Sequence, residues 1–329
     1  MSANIKDVAK NAGVSPSTVS RAYRFPDKVK PATLETILAV AEELGYSPNH
    51  AAQSLITGRR MTIGLLIPDI ENPFFASIVK GVERITKQRD YQVLLVDTSE
   101  DPGEELHAAR QLASQVDGLL LCGTRLQTDE IRSVDARTPV VLVNREADGV
   151  PSRLIDDHGG SMQAVRHVHA LGHRSVAYLA GPERSVASAE RARGVAEFAA
   201  ANGMAACVLG PFDPTFDGGG DAADDVIAAG ATAVIAHNDV MAIGLVQRLG
   251  LYGISVPGAI SVVGFDDIPV AQMTSPPLTT VRIAGVELGE DSARALFERL
   301  DGAAAEQEHA VLRTRLVVRG STGPAIPAP

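Results

Sequence analysis

The chain has 329 residues, of which 45% are apolar and 21% charged, and a net charge of -10. That length exceeds one ordinary core and implies two or three domains of a globular kind, and the acidic balance argues against a generic nucleic-acid binder. No apolar run approaches the roughly 20 residues that span a bilayer, and Lys6, Asp7 and Lys10 break the N-terminus where a signal region would be apolar. The expectation is a cytoplasmic protein with no membrane partner. Charge is uneven, however. Residues 1–60 carry eight Lys/Arg against five Asp/Glu, and the remainder 22 against 35. A basic head on an acidic body fits a small DNA-contacting module joined to something else.

The first sixty residues read as three short helices and a tail. Asn4 caps a helix that Gly13 ends, and Ser15 with Pro16 opens a second. Val19 and Tyr23, four apart, give that helix its inward face. A third runs from about Pro31 to Leu44, with Leu34, Ile37, Leu38, Ala41 and Leu44 at helical spacing and Gly45 at its close. Two short helices joined by a glycine turn make a helix-turn-helix, whose second helix enters the DNA major groove by its N-terminal residues. Pro16, Ser17 and Arg21 are expected against bases, and Ser15, Thr18 and Ser20 against phosphates. A plain three-helix cap with a polar solvent face would show the same periodicity.

From Thr62 the texture changes. Eight β-rich runs alternate with helical stretches, from "TIGLLIP" through "YQVLLVD", "DGLLLCG", "PVVLVN", "RSVAYLAG", "AACVLG" and "ATAVIAH" to "ISVVGFD". Near-continuous apolar strands between helices mean parallel sheets covered on both faces. The runs divide into two sets of four, predicting an α/β body of two doubly wound parallel-sheet subdomains that meet near residues 155–160. The expected boundaries are a head over 1–47, a hinge and linker over 48–60, subdomains over 61–158 with 284–305 and over 159–283 with 306–320, and a frayed tail over 321–329. One helix over Gly219–Ala229 and one last strand over Val311–Val318 are expected. Cys122 and Cys207 read as buried free thiols. His158, His167, His169 and His173 read as surface residues of a helix and its turn, not as a metal site.

Ligands of such sheets bind beyond the carboxyl ends of strands. Those ends carry Asp69, Asn72 and Phe74, then Asn144 and Arg145, then Asn238 and Asp239, then Asp266 and Asp267, with Arg191 at the start of a helix. Carboxylates accept from adjacent hydroxyls, Arg donates to two oxygens, and a ring packs on an apolar sugar face. The set suits a neutral polyhydroxylated ligand. Asp267 reads as structural.

"IKDVAKNAGVSPSTVSRA" followed by "ETILAVAEELGYSPNHAAQSL" resembles the DNA-binding head of the lactose/galactose repressor family of bacterial regulators. "IGLLIPDIENPFFASIVKGVE", "LGHRSVAYLAGP", "AHNDVMAIGL", "SVVGFDDIPVAQMTSPPLTTV" and "LGEDSARALFERL" extend the resemblance along the chain. It implies a helix-turn-helix head on a periplasmic-binding-protein-like body, and a homodimer reading a pseudo-palindromic operator. It also makes "SPNHAAQSL" a hinge helix. Leu55 would wedge into the central base step, with Asn49, Ala52 and Gln53 in the minor groove. Effector positions of the family match Phe74, Asn144, Arg191, Asn238 and Asp266. An aromatic lid falls at Phe212 or Phe216. The dimer interface is implied near Phe75–Arg89 and Pro102–Gln115. The chain departs from the family in "RAYRFPDKVKPAT", where Arg24, Lys28 and Lys30 make a more basic loop and imply extra phosphate contacts.

No nucleophile elbow, phosphate loop or Cys/His metal spacing occurs in the sequence, so neither an enzyme nor a cofactor is expected. The expected function is a nucleoid-associated transcriptional regulator, a repressor in most of this family, answering to a small neutral effector with a sugar first among the choices. A periplasmic-type receptor without DNA function would share the body but not the head. A protein corepressor in place of the small effector stays open.

Overall fold

Asn4 accepts hydrogen bonds from the Lys6 and Asp7 N–H groups while the Asp7 carboxylate takes the N–H of Asn4, so a reciprocal cap opens α1 (Ile5–Asn11). α2 (Pro16–Arg24) begins at a proline, with the Ser15 hydroxyl accepting the Thr18 N–H at 3.1 Å. α3 (Pro31–Glu43) starts without a side-chain cap. Val8, Ala9, Val19, Ala22, Ile37 and Ala41 form the core of this head, with Tyr23, Leu34 and Leu44 at its edge. Leu38 is an exception to the expected inward face, at 44% exposed. The inward positions step 34, 37, 41, 44, and the residue after Ile37 is turned about a quarter of the way round the helix. The structure, a computed structural model, describes residues 3–24, 28–46, 59–302 and 309–326. The chain forms two compact units, residues 1–61 and 62–329. The hinge residues Asn49, Ala52, Gln53 and Leu55 lie outside the described residues.

The second unit runs β1 (Thr62–Ile67), α4 (Pro73–Gln88), β2 (Gln92–Asp97), α5 (Pro102–Ala113), β3 (Gly118–Cys122), α6 (Thr128–Asp135), β4 (Val140–Val143) and β5 (Ser152–Ile155). It continues with α7 (Asp157–Ala170), β6 (Ser175–Leu179), α8 (Val186–Ala201), β7 (Ala205–Leu209), α9 (Phe216–Asp221), α10 (Ala223–Ala228), β8 (Ala233–Ala236) and α11 (Asp239–Leu251). It closes with β9 (Ser261–Asp266), β10 (Thr279–Arg282), α12 (Gly285–Leu300), β11 (His309–Leu312) and β12 (Arg315–Val317). Two six-stranded sheets result, in the orders β11-β5-β4-β3-β1-β2 and β12-β10-β9-β8-β6-β7. All pairs are parallel except β12 against β10. Every residue of β3, β4, β8 and β9 is buried, as helices on both faces require.

Three expectations change here. The single last strand over 311–318 is two short strands, one in each sheet, because the chain crosses between the sheets at Arg313 and Thr314. The helix over 219–229 is two short helices that start three residues earlier. The tail does not fray from residue 321. The Ser321 hydroxyl is fully buried, donates to the Val262 carbonyl at 2.6 Å and accepts the Thr279 N–H at 2.8 Å, and Ala325 reaches Leu171.

His173 is also no surface residue: at 2% exposed, its ring meets Thr232, Ser261 and Gly323. Cys207, on the sheet edge, is half-buried instead of buried. Helices α4 and α12 touch backbone to backbone. A Cβ on Gly81 would stand 2.1 Å from the Val286 carbonyl oxygen, so only glycine permits the approach. Among the described residues no helix is long and apolar enough to cross a membrane.

Candidate functional site

In the head, Pro16, Ser17 and Arg21 are exposed on α2, and Thr18 and Ser20 are half-buried. The Ser15 hydroxyl is committed to its own helix, lying 2.7 Å from that of Ser17 and 2.8 Å from that of Thr18. The short polar face therefore stands free over a core supplied by Val19 and Ala22 from the opposite side.

In the second unit a cleft opens between the two sheets, at the carboxyl ends of their strands. Pro68, Cys122, Val143 and Ile155 reach it from the first sheet, and His237 and Asp266 from the second. Asn72, Phe74, Asn144, Arg191, Asn238 and Asp266 all line it. Asp69 does not. Its carboxylate accepts the Glu71 N–H at 2.7 Å, and it lies in an outer depression that shares Glu100 and Pro214 with the cleft. Neither Phe212 nor Phe216 reaches the cleft lining, where Pro214 stands instead. Phe216 is 40% exposed at the start of α9.

Arg191 is the centre of the site. At 4% exposed, it donates from Nε to the Asp157 carboxylate at 2.8 Å and from Nη1 to the His237 carbonyl. Its guanidinium lies 3.7 Å from the centroid of the buried Phe265 ring. Asp157 also accepts from the Asn144 side-chain amide at 2.8 Å, and the Asn144 Oδ1 takes the Ile155 N–H at 3.0 Å. Asn144 sits at φ +57, a left-handed conformation that Asn tolerates. Asp266, the last residue of β9, is held at φ +111, a strained value maintained by its pairing to Arg282 in β10. Asn72 and Asn238 both cap helices, accepting from Phe74 at 3.0 Å and Met241 at 2.8 Å.

Burial pushes the Asp266 carboxyl well above the ordinary carboxylate range. Arg191 opposes this, and the neighbouring Asp239 and Asp157 add to it. Burial likewise raises Asp157, against Arg191 and the Asn144 amide. Burial disfavours the Arg191 charge, but Asp157 and Asp266 outweigh that and hold it firmly protonated. His237 is lowered well below its ordinary value, by burial and by Arg191, so its ring is neutral. The Arg191 charge is met directly by Asp157, and Asp266 stands nearby at the end of β9. Asp239 and Asp267 face elsewhere. Asp239 accepts the Ile268 N–H at 2.8 Å and the Thr280 hydroxyl. Asp267 is clamped by Arg282 and Arg319.

The sequence reading missed Asp157, His237, Glu100 and Arg125. Asp156 is the cap of α7 and Asp157 its first residue, so neighbours in sequence serve different ends. His237 could have been read from "AHND" as the residue following β8.

A helix-turn-helix head joined to a two-sheet body with a polar cleft between the sheets defines a class of ligand-responsive DNA-binding regulators. Residues 4–49 match the family described as bacterial regulatory proteins, lacI family, and residues 165–322 the periplasmic binding protein-like domain. The HTH-type transcriptional repressor CytR of Escherichia coli (strain K12) is 32% identical over 97% of this chain and 96% of its own length. The solved lac repressor dimer bound to operator and the anti-inducer ONPF superposes with a TM-score of 0.85. It is 28% identical and covers 98% of this chain and 100% of its own. A solved complex of the transcriptional regulator CelR with cellobiose has a TM-score of 0.70 and is 33% identical over 97% of this chain and 99% of its own. The chain belongs to the lacI family of bacterial regulatory proteins, and it is a DNA-binding transcriptional regulator, not an enzyme.

Proposed function

We propose that this regulator is a homodimeric repressor that binds a pseudo-palindromic operator and is switched by a neutral polyhydroxylated effector, a sugar by preference, held in the cleft. The observation that carries the reading is the internal cancellation of charge around Arg191. With its charge met by Asp157, the cleft offers hydrogen-bonding groups and an aromatic edge at Phe74 but no spare charge for an ionic ligand. The cellobiose complex of CelR supports the same ligand class. Ser15, Pro16, Ser17, Thr18, Ser20 and Arg21 would meet DNA, and Asn49, Ala52, Gln53 and Leu55 the minor groove at the dyad. Two heads on a two-fold dimer read two half-sites. The implied interface lies along α4 and α5. Its site of action is the cytoplasm, on the nucleoid.

Fluorescence anisotropy on the DNA upstream of its own gene, with a panel of sugars and nucleosides, tests this. Salt-sensitive, sequence-selective binding that one neutral compound releases is the expected result. Selective binding indifferent to every compound, while a phosphorylated protein partner changes it, would replace the small effector by a protein corepressor.

A further inference from the structure

The loop after β2 makes two consecutive residues left-handed, Ser99 at φ +49 and Glu100 at φ +59, although neither is glycine. Asp97 holds the turn, accepting the Ser99 N–H at 2.7 Å and the Ile70 N–H at 2.9 Å, and the Glu100 N–H is fixed to the Pro68 carbonyl at 2.8 Å. Such strain persists only where the surroundings enforce it, and it gathers at working sites. Its effect here is to bring Glu100 into the cleft lining, where it meets Arg125 at 2.6 Å.

The Arg125 side chain is 8% exposed and that of Glu100 24%. The Arg125 backbone N–H is itself bound by the buried carboxylate of Glu105, so both ends of this residue are positioned. Among the described residues the guanidinium has no other hydrogen-bond partner than Glu100. The pair therefore offers to the cleft one carboxylate acceptor beside several guanidinium donors. Arg191, with its own partners, belongs to α8 and the second sheet, whereas Glu100 and Arg125 extend from the carboxyl ends of β2 and β3 in the first.

We propose that Glu100 and Arg125 form a second polar subsite, on the first sheet's side of the cleft, which takes a vicinal diol of the effector and turns away its phosphorylated form. This rests on the cleft being the effector site. One hydroxyl of a diol donates to the carboxylate while its neighbour accepts from the guanidinium, a pairing that needs adjacent acceptor and donor. An anionic group finds no free charge here. Arg125 is already neutralised by Glu100, and the depression outside carries Asp69, Asp97, Asp101 and Asp213. The subsite thus acts on specificity by rejection as well as attraction.

The test is calorimetric titration of the full-length protein with ribose, cellobiose and uridine, each beside its phosphate monoester. At least one neutral probe is expected to bind, with its phosphorylated form weaker by a factor of about a hundred. Glu100→Gln keeps the side chain's size and a hydrogen bond to Arg125. It should weaken the neutral probe by about tenfold and close most of the gap to the phosphorylated one. The double variant E100A/R125A, which leaves no charge unpaired, should lose the neutral probe by a larger factor. Wild-type protein that prefers a phosphorylated probe, or variants that bind neutral and phosphorylated probes as the wild type does, would overturn the subsite. Silence of the whole neutral panel on wild-type protein would instead reject the sugar-cleft reading beneath it.

Discussion

Replacing Asp157 with alanine removes the one carboxylate that meets both the Arg191 Nε and the Asn144 amide. Arg191 is 4% exposed, so water cannot take the place of the lost partner. Breaking a buried pair by deleting one member costs about 3–5 kcal/mol, because the other charge is left uncompensated. Arg191 keeps the His237 carbonyl and the neighbouring Asp266, which places the expected loss at the lower end, about 3 kcal/mol. For a unit of this size that is a fall in melting temperature of about 5 °C. Urea unfolding should show a lower midpoint with an unchanged slope. Asp157→Asn keeps an acceptor for the guanidinium and should lose less. The effector response should disappear in both, since Arg191 is no longer aimed. A loss below about 1 kcal/mol in D157A would refute the account, because it would mean that Arg191 is solvated in the folded protein and not locked.

Gly81→Ala drives a methyl group into the Val286 carbonyl of α12, and the body's unfolding free energy from urea titration should fall by about 1–3 kcal/mol or more; an unchanged value would mean that the helices part freely. Ile37→Ala, at a fully buried position of the head, should cost about 2–5 kcal/mol and abolish specific operator binding while the body's melting transition, followed by calorimetry, stays in place. Asp239 is pushed up to about 7 by burial, with its bond to Thr280 opposing. A carboxyl raised in the folded state stabilises below its unfolded pKa, and that stability is lost as pH rises through 7. The stability of wild type relative to D239N should therefore fall by on the order of 4 kcal/mol between pH 4 and 8. A difference independent of pH would contradict it.

The sequence announced the sheets through their central strands and hid their margins. "GLLLC", "VVLV" and "AVIA" are buried on both faces and read as strands by composition alone. "SRLI" and "TTVR" pair just as regularly, but four residues with an arginine among them carry no periodicity. "TDEIRSVD" forms α6 with two apolar residues, Ile131 and Val134, too few to announce a helix. The site divides in the same way. Residues at strand ends, such as Asp266, were legible because the topology of parallel sheets puts ligands there. Asp69 follows a strand as well, yet a short turn with Glu71 takes it outward. Pairings such as Arg191 with Asp157 or Arg125 with Glu100 join positions 34 and 25 residues apart, and nothing local records them. Phe212 and Phe216 were legible as aromatics near the cleft but not as to direction.

The central claim is that the cleft and the operator-reading head share one free energy. It is tested most directly by titrating operator with and without a saturating neutral sugar, and that sugar with and without saturating operator. Linkage requires the two ratios of affinity to be equal. Equal ratios well away from one, about fivefold to 150-fold, are the predicted result. Ratios of one in both directions, with the sugar and the operator each bound, would contradict the account.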